Sequence, residues 1–230
     1  MDRTKLHADT HEETAVTNTP LPETRVDPNA LIRNEPVQAR STARLAALLD
    51  AAAEVVAEIG YERLTTAMVA ERAGASIGTV YRYFPDRIAL LQSLAARNAE
   101  RTIDKMLEFI ASPDYANWAE ALGATFDHLV SVFRDEPGFA SLRLGDVLDL
   151  RPAEGMPANA VVAHQLFAAL VERFDLPDTE EGRLALEAAV ECVDALVARA
   201  FARDEGGYQP FLDHAKAVTV ALVAPHFGQP

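Results

Sequence analysis

The chain has 230 residues, enough for one or two domains with a buried core, and it carries a formal net charge of −14. Its single cysteine, Cys192, excludes an intrachain disulfide and a cysteine-based zinc cluster. The sequence has neither a run of about 18 apolar residues nor the basic and apolar regions of a secretory leader, so we expect a cytoplasmic protein that does not enter the membrane.

The acidic charge is unevenly distributed along the chain. Residues 31–103 hold nine Lys and Arg against eight Asp and Glu, a net charge of +1, whereas residues 104–230 hold nine against twenty-one, a net charge of −12. A nucleic-acid-binding surface needs a local basic patch rather than a basic average. The acidic total therefore does not exclude DNA binding by the first half of the chain.

The beginning of the chain divides into a polar tail and a first helix. Residues 1–35 are rich in Thr, Glu, Asp and Pro without an apolar period, which predicts a disordered tail. Apolar residues then recur every three or four positions over 41–59, which predicts a helix that Ser41 caps and Gly60 ends. Arg44 lies near the N-terminus of this helix, where we expect a contact with phosphate.

The stretch from Leu64 to Phe84 predicts two short helices joined by a tight turn. Thr65 or Thr66 can cap the first helix, because a hydroxyl oxygen there can accept from free backbone N–H groups. Gly74 can adopt a left-handed conformation after the first helix, and Ser76 can cap the second. Two helices joined across a glycine turn are typical of a helix-turn-helix.

The spacing of apolar residues predicts which side of each short helix faces a core. Met68, Val69 and Ala73 are predicted to form the apolar face of the first helix. Val80 and Phe84, four residues apart, are predicted to point into the core from the second. The residues of the second helix predicted to point away from the core are Thr79, Arg82 and Tyr83.

The remainder of the chain has the pattern of an all-α protein of about nine helices, with no strand pattern and no internal repeat. Pro85 ends the second short helix. The later helices are predicted over 86–110, 115–134, 139–149, 158–174, 179–203 and 209–224. The predicted organisation is the tail at 1–35, a helix-turn-helix domain at 36–85, a connecting helix at 86–110 and a C-terminal helical domain at 111–230.

Residues suited to catalysis are not arranged as a site. His7 and His11 lie in the predicted tail, and Cys192 stands close to Val190 and Val193, which predicts a buried, inert thiol. No nucleophile–base set is supported by the spacing, and no glycine-rich phosphate loop is present. We expect neither an enzyme nor a metal or cofactor site. An enzyme, or a helical interaction protein that does not bind DNA, is the less favoured alternative.

An ordered series of motifs runs from Leu48 to Leu91. It consists of an Ala-rich helix, a Gly-Tyr break, Thr-Thr, Val-Ala-x-x-Ala-Gly, Ser-x-Gly-x-Val-Tyr-x-Tyr-Phe and Asp-Arg. Through this series, residues 41 to about 95 resemble the DNA-binding domain of the TetR/AcrR family of bacterial transcription regulators. The resemblance implies an all-α fold in which the domain at 111–230 binds an effector and forms a dimer.

The resemblance also implies which residues contact DNA. Thr66 would contact phosphate from the cap of its helix, with Thr65 alongside, and Arg87 would contact phosphate where the family usually has a lysine. Ala67 and Gly78 offer no base-reading side chain, so phosphate contacts and DNA shape would supply much of the affinity. The predicted DNA-binding residues are Arg44, Thr65, Thr66, Ser76, Ile77, Gly78, Thr79, Tyr81, Arg82, Tyr83 and Arg87.

Two further sets of residues are predicted in the C-terminal domain. Bulky apolar groups and a few polar ones form the predicted effector pocket, namely Trp118, Phe126, Phe133, Phe139, Arg143, Asp146, Phe167 and Cys192. Apolar stripes on the last two helices form the predicted dimer interface, at Ala188, Ala195, Leu196, Phe211, Ala215, Val218 and Leu222. For both sets, the alternative is that the residues pack only in the core of their own subunit.

The function implied by the resemblance is sequence-specific DNA-binding transcription regulation. The partners would be a double-stranded, palindromic operator, a small-molecule effector and a second copy of the chain, with no membrane partner. Repression is the expected direction. An activator, or a regulator of the same fold that needs no ligand, is the alternative.

Overall fold

The computed structural model describes residues 39–139 and 158–230, and within these residues the chain forms eight α-helices and no strand. The all-α prediction is confirmed. The predicted tail at 1–35 and the predicted helix at 139–149, apart from Phe139, lie outside the described residues. The helices are α1 Ala39–Ile59, α2 Thr66–Arg72, α3 Ile77–Tyr83, α4 Arg87–Ala111, α5 Trp118–Asp135, α6 Ala158–Phe174, α7 Glu180–Arg203 and α8 Gln209–Phe227.

The helices α1 to α3 and the first turns of α4 form an N-terminal unit around one apolar core. Gly60, with a φ of 80°, ends α1, and a short 3-10 turn at Tyr61–Arg63 leads into α2. The Asp86 carboxylate caps α4 by accepting from the Ala89 N–H at 2.9 Å. The largest fully buried side chains of this core are Leu48, Val56, Leu64, Val69, Phe84, Leu90, Leu91 and Leu94.

The rest of α4 and the helices α5 to α8 form the body of the molecule. The Asn117 and Thr179 side chains cap α5 and α7 by accepting from backbone N–H groups of the first turn. Helices α7 and α8 pack along each other, and both contact the other body helices through two apolar clusters. Prominent members of these clusters are Met106, Ile110, Trp118, Leu170, Leu186 and Val223 in one, and Phe133, Phe139, Val197, Leu212 and Ala215 in the other.

Two connections join the body to the N-terminal unit. Helix α4 runs unbroken from one core to the other, and Arg97 ties it to α1 through a 2.7 Å bond between its Nη1 and the Asp50 carboxylate. The turn after α5 also touches α1 at Gly138. A Cβ added to Gly138 would lie 2.8 Å from the Ala53 carbonyl oxygen and 3.1 Å from Val56 Cγ1. Any displacement of this turn therefore acts directly on α1.

Candidate nucleic-acid interface and effector cavity

The turn between α2 and α3 is built by side-chain caps and one glycine. The Thr65 hydroxyl accepts from the Met68 N–H at 3.3 Å, and the Ser76 hydroxyl accepts from the Thr79 N–H at 3.2 Å. Gly74 lies between the two helices with a φ of 57°, in the left-handed region that favours glycine. The predicted helix-turn-helix geometry is present, with Thr65 as the cap of α2.

Most of the predicted DNA-contacting residues are accessible to solvent. Ile77 and Tyr81 expose 44% and 47% of their surface, unusually high fractions for such large apolar groups. Thr79 is half-buried beside the Ser76 cap. The other exposed members of the set are Arg44, Thr65, Ser76, Gly78 and Arg82.

Met68 was predicted to face the core, and this prediction is wrong. Its side chain is 42% exposed, whereas the adjacent Val69 is fully buried. In a helix of only seven residues, one step of about 100° separates the buried side from the open one. Met68 therefore joins Ile77 and Tyr81 among the large exposed apolar side chains of α2 and α3.

The predicted outward orientation of Tyr83 is also wrong. Its side chain is 2% exposed, and its hydroxyl is hydrogen-bonded to the Ser41 hydroxyl at 3.0 Å. Tyr83 lies three residues after Val80, so the two share the inner face of α3. The ring therefore stabilises the packing of α3 against α1 rather than presenting its face to solvent.

Thr66 and Arg87 are less open than the resemblance implied. Thr66 is the first residue of α2 rather than its cap, is 8% exposed, and donates to the Tyr81 hydroxyl at 3.3 Å. The Thr66 cap assignment is therefore wrong. The half-buried Arg87 donates from Nη2 to the Tyr61 carbonyl at 2.7 Å, which ties its guanidinium to the turn after α1.

The burial of Tyr83 leads to a prediction about stability. Tyr83→Ala should lower the free energy of unfolding by about 3 kcal/mol or more, because it removes a large core side chain, whereas Tyr83→Phe should cost about 1 kcal/mol for the lost hydrogen bond. The exposed Tyr81 is the matched control, and Tyr81→Ala should cost less than about 1 kcal/mol. Urea unfolding measures all three, and equal losses for the two alanine variants would contradict the burial.

The body encloses a large cavity between α4, α5, α6, α7 and α8. It contains about 890 Å³ of space free of protein atoms, a volume that includes the solvent at its open mouth. Five polar residues line it, namely Thr102, Thr125, Asn159, Asp194 and Thr219. The apolar residues lining it include Ala99, Ile103, Met106, Leu122, Phe126, Leu129, Phe133, Phe139, Val162, Leu166, Leu186, Ala189, Val190 and Val193.

The predicted pocket residues separate into three groups. Phe126, Phe133 and Phe139 line the cavity. The other described members, Trp118, Phe167 and Cys192, do not, so the prediction is wrong for these three. Trp118 and Phe167 both pack against Phe227 in the closed part of the body core, with ring centroids 5.5 and 5.8 Å away. The last two predicted members, Arg143 and Asp146, lie outside the described residues.

A second opening, called here the cleft, lies against the outer sides of α4 and α5. It contains about 650 Å³ of free space and is lined by Asn98, Arg101, Thr102, Lys105, His128, Val132, Glu136 and Phe139. Burial lowers the pKa of His128, and the neighbouring Lys105 ammonium lowers it further, so the ring is neutral near pH 7. The other ionisable side chains lining the cleft are those of Arg101, Lys105 and Glu136.

The predicted dimer residues lie at different depths. Ala188 and Ala195 are exposed on the outer side of α7. Ala215 is wholly buried in the core of its own subunit, three residues from the buried Leu212, so its prediction as an interface residue is wrong. The half-buried members are Leu196, Phe211, Val218 and Leu222. Two exposed apolar residues that the prediction missed on the same helices are Leu184, at 65%, and Val220, at 37%.

Residues 39–139 and 158–230 contain neither a membrane-spanning helix nor a metal-binding cluster. No helix there combines the length and apolar character needed to cross a membrane. In the same ranges, no three His, Cys, Asp or Glu side chains come together in a way that could hold a metal ion.

The chain is similar to known regulators over both of its parts. Residues 48–94 match the family model described as "Bacterial regulatory proteins, tetR family", and residues 116–227 match the model described as "Tetracyclin repressor-like, C-terminal domain". A TetR-family transcriptional regulator from Streptomyces coelicolor, a solved structure, is 30% identical with a TM-score of 0.68. That match covers 81% of this chain and 98% of the other.

Two curated relatives match over shorter stretches. The HTH-type transcriptional repressor KstR of Rhodococcus jostii (strain RHA1) is 46% identical over 54 residues, which cover 24% of this chain and 26% of the relative. The HTH-type transcriptional repressor Rv1474c of Mycobacterium tuberculosis (strain ATCC 25618 / H37Rv) is 30% identical over 107 residues, covering 43% of this chain and 55% of the relative. The chain thus spans about a quarter to a half of the length of these curated relatives.

Proposed function

The chain belongs to the TetR family of bacterial regulatory proteins, and we propose that it is a transcriptional repressor that binds operator DNA and is released by a small-molecule effector. The observation that carries the proposal is the capped α2–turn–α3 unit, whose α3 exposes Ile77, Gly78, Tyr81 and Arg82. The two curated relatives named above are both repressors, which supports repression as the direction. Since bacterial operators lie in the cytoplasm, the proposal places the protein there.

Helix α3 is short enough to enter the major groove with its N-terminal end. There Ile77 and Met68 offer apolar contacts of the kind that thymine methyl groups accept, and Gly78 lets the backbone approach closely. Arg44 and the exposed Thr65 hydroxyl supply phosphate contacts at the flanks. With so few polar base-reading groups on α3, the unit depends on phosphate contacts and DNA shape for much of its affinity.

A second copy of the chain completes the proposed DNA-binding species. The outer sides of α7 and α8 expose Leu184, Ala188, Ala195 and Val220, an apolar surface that two further helices of a partner would cover. A two-fold dimer formed in this way would present two α3 helices to half-sites about one helical turn, ~34 Å, apart or somewhat further.

This dimer can be tested with one charged substitution. Ala195→Arg should shift the protein from dimer to monomer, because it places an unpaired charge in the proposed apolar interface. Ala168, an exposed alanine of α6, provides the control, and Ala168→Arg should leave the association state unchanged. Sedimentation velocity measures both, and a parent chain that sediments as a monomer at micromolar concentration would contradict the dimer.

The effector would act through the two connections between the body and the N-terminal unit. Phe139 lines the cavity and follows Gly138, which touches α1 at the Ala53 carbonyl. Helix α4 lines the same cavity and enters the core of the N-terminal unit. An effector that fits one arrangement of these elements better than another would change the separation of the two α3 helices. Only this difference in affinity can couple the ligand to the DNA.

The proposed function is tested by DNA binding of the full chain. A labelled duplex carrying the DNA that flanks the protein's own coding region should be bound with sequence preference, and the affinity should fall steeply with salt. Ile77→Asp should abolish the specific binding by placing a carboxylate against the bases and phosphates, while its exposed position leaves the fold unchanged. Equal binding by Ile77→Asp and the parent chain would refute α3 as the contacting helix.

A further inference from the structure

We propose that the effector is an amphipathic anion, with its apolar part in the cavity and a carboxylate or phosphate head in the cleft beside Arg101 and Lys105. This proposal rests on the proposed function in one respect, which is that the ligand is called the effector. The binding site does not depend on it. Its first observation is that Thr102 and Phe139 line both openings and so form the boundary between them.

The arrangement of α4 and α5 places the two openings on neighbouring faces of the same helices. On α4, Arg101 and Lys105 line the cleft, and the residues that follow each of them, Thr102 and Met106, line the cavity. The same alternation occurs on α5, where His128 and Val132 line the cleft and the next residues, Leu129 and Phe133, line the cavity. A ligand passing between these helices at Thr102 would therefore meet two chemically different environments.

The cavity suits an apolar group and is unfavourable to an anion. Three hydroxyls that line it donate to backbone carbonyls of their own helices, from Thr102 to Asn98, from Thr125 to Leu122 and from Thr219 to Ala215, at 2.8–2.9 Å. The only charged side chain among the described lining residues is that of Asp194, a carboxylate. An anionic head placed here would lose hydration, because these three hydroxyls already donate within their own helices.

The cleft provides the complementary environment for the head group. Arg101 and Lys105 lie one turn apart on α4 and are both exposed, and the Lys105 ammonium contacts Glu108 at 2.6 Å with one of its three donors. Among the described residues that line the cleft, Glu136 is the only one with a carboxylate. The residues lining the cleft thus include two cations and one carboxylate, and the Glu108 carboxylate is paired with Lys105 beside them.

The experiment compares ligands that differ only in their head group. Lauric acid and lauryl alcohol carry the same chain, and calorimetric titration of the full chain without DNA should show the acid binding about tenfold more tightly. Lauryl phosphate and lauroyl-CoA distinguish a carboxylate from a phosphate as the preferred head. Equal affinity for the acid and the alcohol, or no binding of any of the anions, would overturn the proposal.

Three variants locate the head group. Arg101→Gln and Lys105→Gln should each reduce the preference for the acid several-fold while leaving alcohol binding unchanged, and Glu136→Gln should increase it, because that variant removes the opposing charge. Arg173→Gln is the matched control, since Arg173 is an exposed arginine of the body that lines neither opening. A preference that none of the three cleft variants alters would refute the head-group site.

The outcomes separate this proposal from the proposed function. If the chain binds its operator but shows no preference for the anions, the inference fails and the repressor function stands. If it binds no DNA with sequence preference, the repressor function fails, and the titrations still decide the ligand site. If the acid binds in the cleft without weakening operator binding, its role as effector is refuted.

Discussion

Gly138→Ala should lower the free energy of unfolding by about 2–3 kcal/mol, the largest loss expected from a glycine-to-alanine substitution among the described residues. Two causes act together at this position. The φ of 73° is a conformation that alanine adopts with strain. In addition, the new Cβ would lie 2.8 Å from the Ala53 carbonyl oxygen, a backbone atom that cannot move without shifting α1.

A second glycine separates these two causes. Gly74 also has a positive φ, of 57°, but a Cβ there would meet no atom within 4 Å. Gly74→Ala should therefore cost only the conformational strain, about 1 kcal/mol. Chemical denaturation of both variants gives the comparison, and a Gly138→Ala loss no larger than that of Gly74→Ala would contradict the close approach between the turn and α1.

The same substitution should alter DNA binding from a distance. Gly138 lies outside the predicted DNA-contacting set, yet a clash at Ala53 would displace α1, which packs on α2 and α4. We expect a several-fold change in operator affinity together with a weaker response to the effector. Fluorescence anisotropy with labelled operator, measured with and without lauric acid, reports both effects.

Filling the cavity should have the second large effect. Ala189→Phe places a phenyl ring in the cavity, because Ala189 is a buried lining residue of α7. We expect ligand affinity to fall about a hundredfold while the free energy of unfolding changes by less than about 1 kcal/mol, since the ring enters empty space. The variant should bind operator DNA like the parent chain and no longer be released by the effector.

Ala121 provides the control for this substitution. It is also fully buried, on α5, but it packs in the closed part of the body core and does not line the cavity. Ala121→Phe should therefore overpack the core and cost about 2–3 kcal/mol. Thermal unfolding compares the two variants, and equal losses would show that the cavity does not accommodate a ring.

The local structure of the N-terminal unit was largely predictable from the sequence. The cap at Ser76 and the glycine at position 74 act through neighbouring backbone atoms, so the sequence alone indicates them. The predictions were wrong where contact with a neighbouring helix determines the orientation of a side chain. Tyr83 has a polar hydroxyl and lies on a short helix, which favoured an outward orientation. In the structure this hydroxyl is hydrogen-bonded to Ser41 on α1, 42 positions away in the sequence.

The ligand site was less predictable, because large aromatic residues are equally suited to filling a core and to lining a cavity. Trp118 and Phe167 pack against Phe227 in the closed part of the core, whereas Phe126 and Phe133 line the cavity, and nothing in their local spacing distinguishes the two cases. The polar lining residues were missed for a related reason. Thr125 satisfies its hydroxyl on its own helix, so it fits an apolar stripe without an external partner.

DNA binding by α3 is tested most directly by fluorescence anisotropy. A labelled duplex from the DNA flanking the coding region is titrated with the full chain in the presence of excess non-specific DNA. We expect saturable, sequence-specific binding that Ile77→Asp abolishes and that lauric acid reverses in the parent chain but not in Ala189→Phe. Binding that competitor DNA removes entirely, or that Ile77→Asp leaves unchanged, would contradict the assignment of α3 as the DNA-contacting helix.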